Sequence, residues 1–354
     1  MDEAPIRIVY DAWADYGSTD PIVSLLETSP GVSTNRVYHV RLESGGSVFA
    51  KVSSYGSYVH FRQDHARIHQ WCERLGGTRF DGMLARVLTR SGEVYTFRDR
   101  HRGSWVGFYE EAPRRGFLPR VLSEAQIDNL GREMASFHLA CADVAGKLDP
   151  TWQSVGADLA TLYDQMHGPA VEARGLDPEH ALLVRRHCDL FFANAERLGY
   201  HRFPKLPVLI DWNRGNFSVA YDEVGFTLYG RWDYDWFRIE PRGFDFYFLS
   251  RVVREEGDQT VFSYAASPLL EPRFLRLVRA YHAIYPLSRA ELGFMKECYR
   301  FFLLNYVLRT GEHFFVREIC ERLQREVLTR YLPELETLDF APLLGCADEA
   351  PQQS

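Results

Sequence analysis

Near residue 112 the hydrophobic pattern of this chain changes period. Before it, short apolar runs alternate with Gly and Ser turns: Val37 to Leu42, the turn Ser44-Gly45-Gly46-Ser47, Val48 to Val52, then Val94 to Arg98 and Trp105 to Tyr109. Such runs predict an antiparallel sheet of about five strands. One helix interrupts it, from about Val59 to Leu75, where Phe61, His65, Ile68, Trp71, Cys72 and Leu75 recur at three- and four-residue steps. After residue 112 helical spacing dominates. Ser123-Glu124-Ala125-Gln126 reads as a capping box ahead of Ile127, Leu130, Met134, Phe137 and Cys141, and Asp177-Pro178 opens a second helix reaching Leu198. A β island breaks this half: Val208 to Ile210, a hairpin of Phe217 to Tyr221 with Phe226 to Tyr229, and Arg231 to Tyr234. Helical spacing resumes from Phe244 to Leu332. The pattern predicts an α+β chain with a β-rich part at 1–112, a mainly helical part at 113–340 and a tail at 341–354.

Composition removes several functions. The 41 Lys and Arg are outnumbered by 48 Asp and Glu, for a net charge of −7, and no basic run is present. That disfavours nucleic acid and anionic membranes as partners. Cys72, Cys141, Cys188, Cys298, Cys320 and Cys346 are scattered, without metal-ligand spacing, and read as buried thiols of a reducing cytoplasm. No basic leader and no apolar run of membrane-spanning length appears, so a cytoplasmic protein is expected. The Walker, dinucleotide-binding, nucleophile-elbow and zincin motifs are missing. Only four of the cationic residues are lysines, Lys51, Lys147, Lys205 and Lys296, and Lys51 alone lies mid-strand among apolar neighbours. An ammonium buried there calls for anions, although an outward-facing lysine guarding a sheet edge has the same pattern.

The chemistry concentrates in the β island. Asp211 and Asn216 stand with four residues between them on a loop joining two short strands, and Asp233 follows one hairpin later. In a kinase catalytic loop of that spacing the Asp accepts the substrate hydroxyl proton and the Asn holds Mg²⁺. A capped turn is the usual account of an isolated match, so the context carries the weight.

On these residues, together with Asn35-Arg36-Val37-Tyr38, Val48 to Val52, Gly131 to Ala140 and Asp233 to Asp245, the sequence resembles the aminoglycoside phosphotransferase and choline kinase-like family, which includes homoserine kinase-like phosphotransferases. The family motif reads H-G-D-x-x-x-x-N, then I-D-[WF], then a further Asp opening a helix; here Leu209 and Ile210 occupy the His and Gly positions. The resemblance implies a two-lobed protein-kinase-like fold and transfer of the γ-phosphoryl group of Mg·ATP to a hydroxyl of a small molecule, such as an antibiotic, an amino alcohol, an amino acid or a sugar. It implies Asp211 as catalytic base, Asn216 and Asp233 as Mg²⁺ ligands, and Asp245 as the tie between the loop and the next helix. Lys51 would contact the α- and β-phosphates, with Asp64 as its anionic partner in preference to Gln63. The backbone of Glu110 to Ala112 would meet the adenine at a hinge, and Gly31 to Asn35 would be the nucleotide loop. Two alternatives stay open: a protein Ser/Thr kinase of the stress-response type, and a catalytically weak nucleotide-binding pseudokinase. His138 reads as a satisfied core histidine, Trp212 and Trp236 as packing, and Glu255, Glu256, Asp258 and Glu312 as a solvated face rather than a lining for a cationic acceptor.

Overall fold

The computed structural model describes residues 3–29, 31, 33–149, 151, 154–169, 171, 175–257 and 263–348. The chain divides into two compact units, one of Met1–Pro113, Gly230–Trp232 and Glu312–Cys320, the other of Arg114–Tyr229, Asp233–Gly311 and Glu321–Ser354.

The first unit is built on an antiparallel sheet of β1 (Ile22–Glu27), β2 (Arg36–Leu42), β3 (Ser47–Ser53), β6 (Thr96–Asp99) and β7 (Ser104–Tyr109), in the order β1-β2-β3-β7-β6, beside a small hairpin of β4 (Thr89–Arg90) and β5 (Glu93–Val94). Two helices accompany it, α1 (Glu3–Tyr16) and α2 (Tyr58–Arg74). Ile8, Val9, Ala12 and Trp13 of α1 pack on Tyr38, Val40, Val48, Ala50, Val106 and Phe108. Each large apolar side chain so buried contributes about 1.5–3 kcal/mol. Neither α1 nor β1 was expected. The α1 residues follow one helical face that a strand-based reading passed over. In β1 a register shift between Ile22 and Ser24 spoils the alternation, and Val23 and Leu26 are exposed. Helix α2 is capped by Ser57, whose hydroxyl accepts from the His60 amide. It comes close to the sheet at Gly107, where a Cβ would lie 3.3 Å from His65 Nε2 and 3.4 Å from Phe61.

The second unit is helical around two strand pairs. Its helices include α3 (Glu124–Ala145), α4 (Val155–Gln165), α5 (Pro178–Leu198), α6 (Phe246–Val253), α7 (Pro272–His282) and α8 (Arg289–Phe301), which runs on through π-turns at Phe302–Arg309. Ser123 and Gln126 form the expected capping box, and Asp177 caps α5. Gly131 lets α3 reach the backbone of α7: a Cβ there would stand 2.6 Å from the Leu277 carbonyl. The β island differs from expectation in register. Strand β8 is Lys205–Val208 and pairs with β11 (Arg238–Pro241), while β9 (Phe217–Tyr221) pairs with β10 (Phe226–Arg231). Leu209 and Ile210 have left the strand, and residues 232–237 form a turn rather than the strand expected over Arg231 to Tyr234.

The end of the chain also differs. Following α9 (Arg317–Glu326) and α10 (Leu332–Thr337), residues 341–348, expected as tail, form α11 (Ala341–Leu344) and a 3-10 turn. Leu343 and Cys346 are buried there, which anchors them. All six cysteines are buried free thiols. No helix among the described residues is long and apolar enough to cross a membrane.

Candidate active site

In the first unit the geometry turns on Lys51. It pairs with Val37 on β2 and Gly107 on β7, so β3 is a central strand and the edge-guard reading falls away. Lys51 is 6% exposed. Beside it, burial, joined by the Lys51 ammonium, pushes the His65 imidazole down to about 4. A neutral His65 donates from Nδ1 to the Phe61 carbonyl at 2.7 Å and accepts at Nε2 from the Tyr109 hydroxyl. A neutral ring leaves the lysine as the positive charge of this pair. Asp64, one residue earlier on α2, makes an ion pair with Arg67 at 2.9 Å, so its charge is shared. Gln63 keeps a buried Oε1 without a hydrogen bond.

At the end of β7, Glu110 donates its amide to the Arg86 carbonyl at 2.8 Å, so that N–H is engaged; Ala112 is buried. The segment Gly31 to Asn35 includes Val32, which lies outside the described residues. Its remainder is held by a part of the chain that the sequence did not point to: Ser33 bridges Phe315, and the Thr34 amide donates to the Phe314 carbonyl at 3.3 Å.

In the second unit the Asp211 loop is fixed from beneath. Asp245, fully buried, accepts the amides of Leu209 at 2.9 Å and Ile210 at 2.6 Å on one carboxylate oxygen. Its other oxygen meets His138 Nε2 at 2.9 Å, and His138 Nδ1 meets the Tyr281 hydroxyl at 2.8 Å. With Nε2–H donated to the carboxylate, Nδ1 accepts from the phenol, so α3, the turn that leads into α6, and α7 together set the loop. His138 is thus the satisfied core histidine expected, with a positioning task the sequence did not reveal.

This chain bends the loop sharply. Ile210 has φ +62°, a left-handed conformation that costs a β-branched residue about 1–2 kcal/mol. That is the reason a Gly suits this position. Asp211 follows, half-buried, its Oδ1 accepting the Asn213 amide at 3.1 Å. Asn216 Nδ2 donates to the Asp211 carbonyl at 3.3 Å, which orients the amide with Oδ1 on its opposite edge. Trp212 is packing, its ring 5.7 Å from Phe137 and 5.6 Å from Phe217. Just past β10, Asp233 also has a left-handed backbone, φ +67°. Among the described residues no group of three or more His, Cys, Asp or Glu could hold a metal. An Asn and an Asp are hard oxygen donors of the kind that hold Mg²⁺ together with nucleotide phosphates, which needs only one or two protein ligands.

No family model matches the sequence, and no curated protein matches it significantly. The fold is nevertheless shared. An amicoumacin kinase in complex with AMP-PNP and Ca²⁺ matches at TM-score 0.58 and 14% identity, over 97% of this chain and 100% of that one. A microcompartment-associated aminopropanol kinase matches at 0.56 and 18%, over 97% and 96%. A spectinomycin phosphotransferase with ADP and spectinomycin matches at 0.50 and 14%, over 97% of each. The chain therefore has the α+β, two-lobed protein-kinase-like fold of small-molecule phosphotransferases.

Proposed function

We propose that this protein is a Mg·ATP-dependent phosphotransferase acting on a hydroxyl of a small molecule. The observation that carries it is the Asp211 loop: a carboxylate presented on a strained turn, tied to a buried Asp–His–Tyr chain and followed by Asn216 and Asp233. Structural neighbours named as kinases of an antibiotic and of an amino alcohol support it, as do the adenine nucleotides in two of those complexes.

In this reading Asp211 orients the acceptor hydroxyl and takes its proton as the oxygen bonds to the γ-phosphorus. The bond to the β,γ-bridging oxygen breaks, and ADP leaves. Asn216 and Asp233 hold Mg²⁺, which when bound neutralises phosphate charge. Lys51 contacts the α- and β-phosphates, with Asp64 and Arg67 as the charges nearby on α2, and the Glu110 to Ala112 backbone meets the base. A pseudokinase reading draws no support from Leu209, because Asp245 braces the loop at its backbone.

The test is ATP consumption over a panel of hydroxyl compounds. Asp211→Asn should lower turnover roughly 10²–10⁴-fold, the usual worth of a general base. It should leave the Mg²⁺-dependent thermal shift with ATP intact. Full activity in that variant would sink the assignment.

A further inference from the structure

This chain shows how it buries guanidinium groups. Arg238 pairs with Asp158 at 2.5 Å, Arg242 with Glu291 at 2.9 Å and Arg300 with Glu297 at 2.7 Å. Arg251 breaks the rule. It lies on α6, is 6% exposed, and has a buried Nη1 with no hydrogen-bond partner. No carboxylate among the described residues pairs with it. Its neighbours are ring faces, with Phe248 and Tyr264 each 5.3 Å from its guanidinium carbon. Two cation–π contacts return less than desolvating an unpaired guanidinium costs. A buried cation kept without an anion is a cost that an arriving anion would remove.

Its place relates it to the Asp211 loop. Helix α6 begins right after Asp245, which holds that loop, and Arg251 stands six residues further on, about 9 Å along the axis. Tyr264 senses both charges: burial raises its phenol, the Arg251 guanidinium lowers it and the Asp211 carboxylate raises it. Among the described residues, the acidic pair that follows α6 does not neutralise this corner. Glu255 and Glu256 are exposed, and Asp258 lies outside the described residues.

The geometry points to Arg251 as the anion-binding residue of the acceptor site, and hence to an acceptor that carries a carboxylate as well as the hydroxyl to be phosphorylated. The inference rests on the phosphotransferase reading above and narrows its acceptor class. Guanidinium and carboxylate meet as a two-point fork, which would orient the hydroxyl toward Asp211.

Three measurements test it. Turnover is compared across hydroxy acids (serine, threonine, 3- and 4-hydroxybutyrate), their amides, and cationic acceptors (aminopropanol, kanamycin). The acids should be the class consumed. Arg251→Met should raise their KM roughly 10- to 100-fold, as loss of a charge-assisted pair does, with the KM for ATP unchanged and Arg251→Lys recovering part of the loss. Preference for amides or cationic acceptors, an unchanged acid KM, or a raised KM for ATP overturns the assignment. The same acids, added with Mg²⁺ and AMP-PNP, should raise the Tm of wild type but not of Arg251→Met; an equal shift, or none in either, also overturns it. Unliganded Arg251→Met should melt higher than wild type, since an unpaired buried charge is gone, whereas a packing role requires it to melt lower. Failure of the underlying reading has another signature: no thermal shift with Mg·ATP, or turnover that survives Asp211→Asn.

Discussion

Lys51 and Asp211 are positioned by opposite means. Sheet register alone places the lysine: a central strand with Val37 on one side and Gly107 on the other leaves its side chain no choice of face. The aspartate sits on irregular backbone, which three distant side chains, Asp245, His138 and Tyr281, hold in an unfavourable conformation. The first arrangement is local and tolerant. The second is strained and stands only while its support is complete.

The largest effect should come from breaking the lysine's chemistry without its fold. Lys51→Met should cut kcat/KM for ATP by two orders of magnitude or more while the protein stays folded, because an unbranched apolar chain fits the same strand; Lys51→Arg should not rescue it, lacking a compact point charge. Near-normal kinetics in either variant would remove Lys51 from the phosphate site. Breaking the loop's support should act on folding as well. Asp245→Ala strands two buried amides and the His138 imidazole, and denaturant unfolding should show a loss on the order of 3–5 kcal/mol. A loss under 1 kcal/mol would mean that the loop holds itself.

Acid distinguishes the regions more gently. His65, held neutral down to about 4, takes no proton in the folded state between pH 6.5 and 4, whereas the unfolded chain does. Its contribution, on the order of 3 kcal/mol from that shift, is therefore whole above pH 6.5 and is lost as pH falls toward 4. Replacing it with Gln should flatten that part of the stability profile. His187 adds its own slope there, since burial and the Arg300 charge push it down to about 3. The smallest effect is the most specific: Ile210→Gly should be more stable than Ile210→Ala by about 1 kcal/mol, the reverse of the usual order, because only glycine takes positive φ without penalty. Calorimetry showing Ala the more stable would deny the strain.

The same contrast explains what the sequence could tell. The Lys51 strand, α2 and both capped helices were legible because their signals are periodic and local. The Asp211–Asn216 spacing was legible as a motif. The support of the loop was not, since His138, Asp245 and Tyr281 are joined only by tertiary packing. Strand β11 was missed for a related reason: it pairs with β8 across the whole of residues 209–237, and nothing in Arg238–Pro241 alternates clearly. Arg251 gave no signal at all, because an arginine on a helix is ordinary until its surroundings are known.

The buried thiols give each unit its own opening clock. Cys72 and Cys320 belong to the first unit, and Cys141, Cys188, Cys298 and Cys346 to the second. Burial pushes Cys72 and Cys188 up to about 12, so an alkylating reagent at neutral pH finds almost no thiolate in the folded chain. Labelling must wait for local or global opening. Peptide-resolved alkylation rates would then time the two units separately, without a single engineered probe.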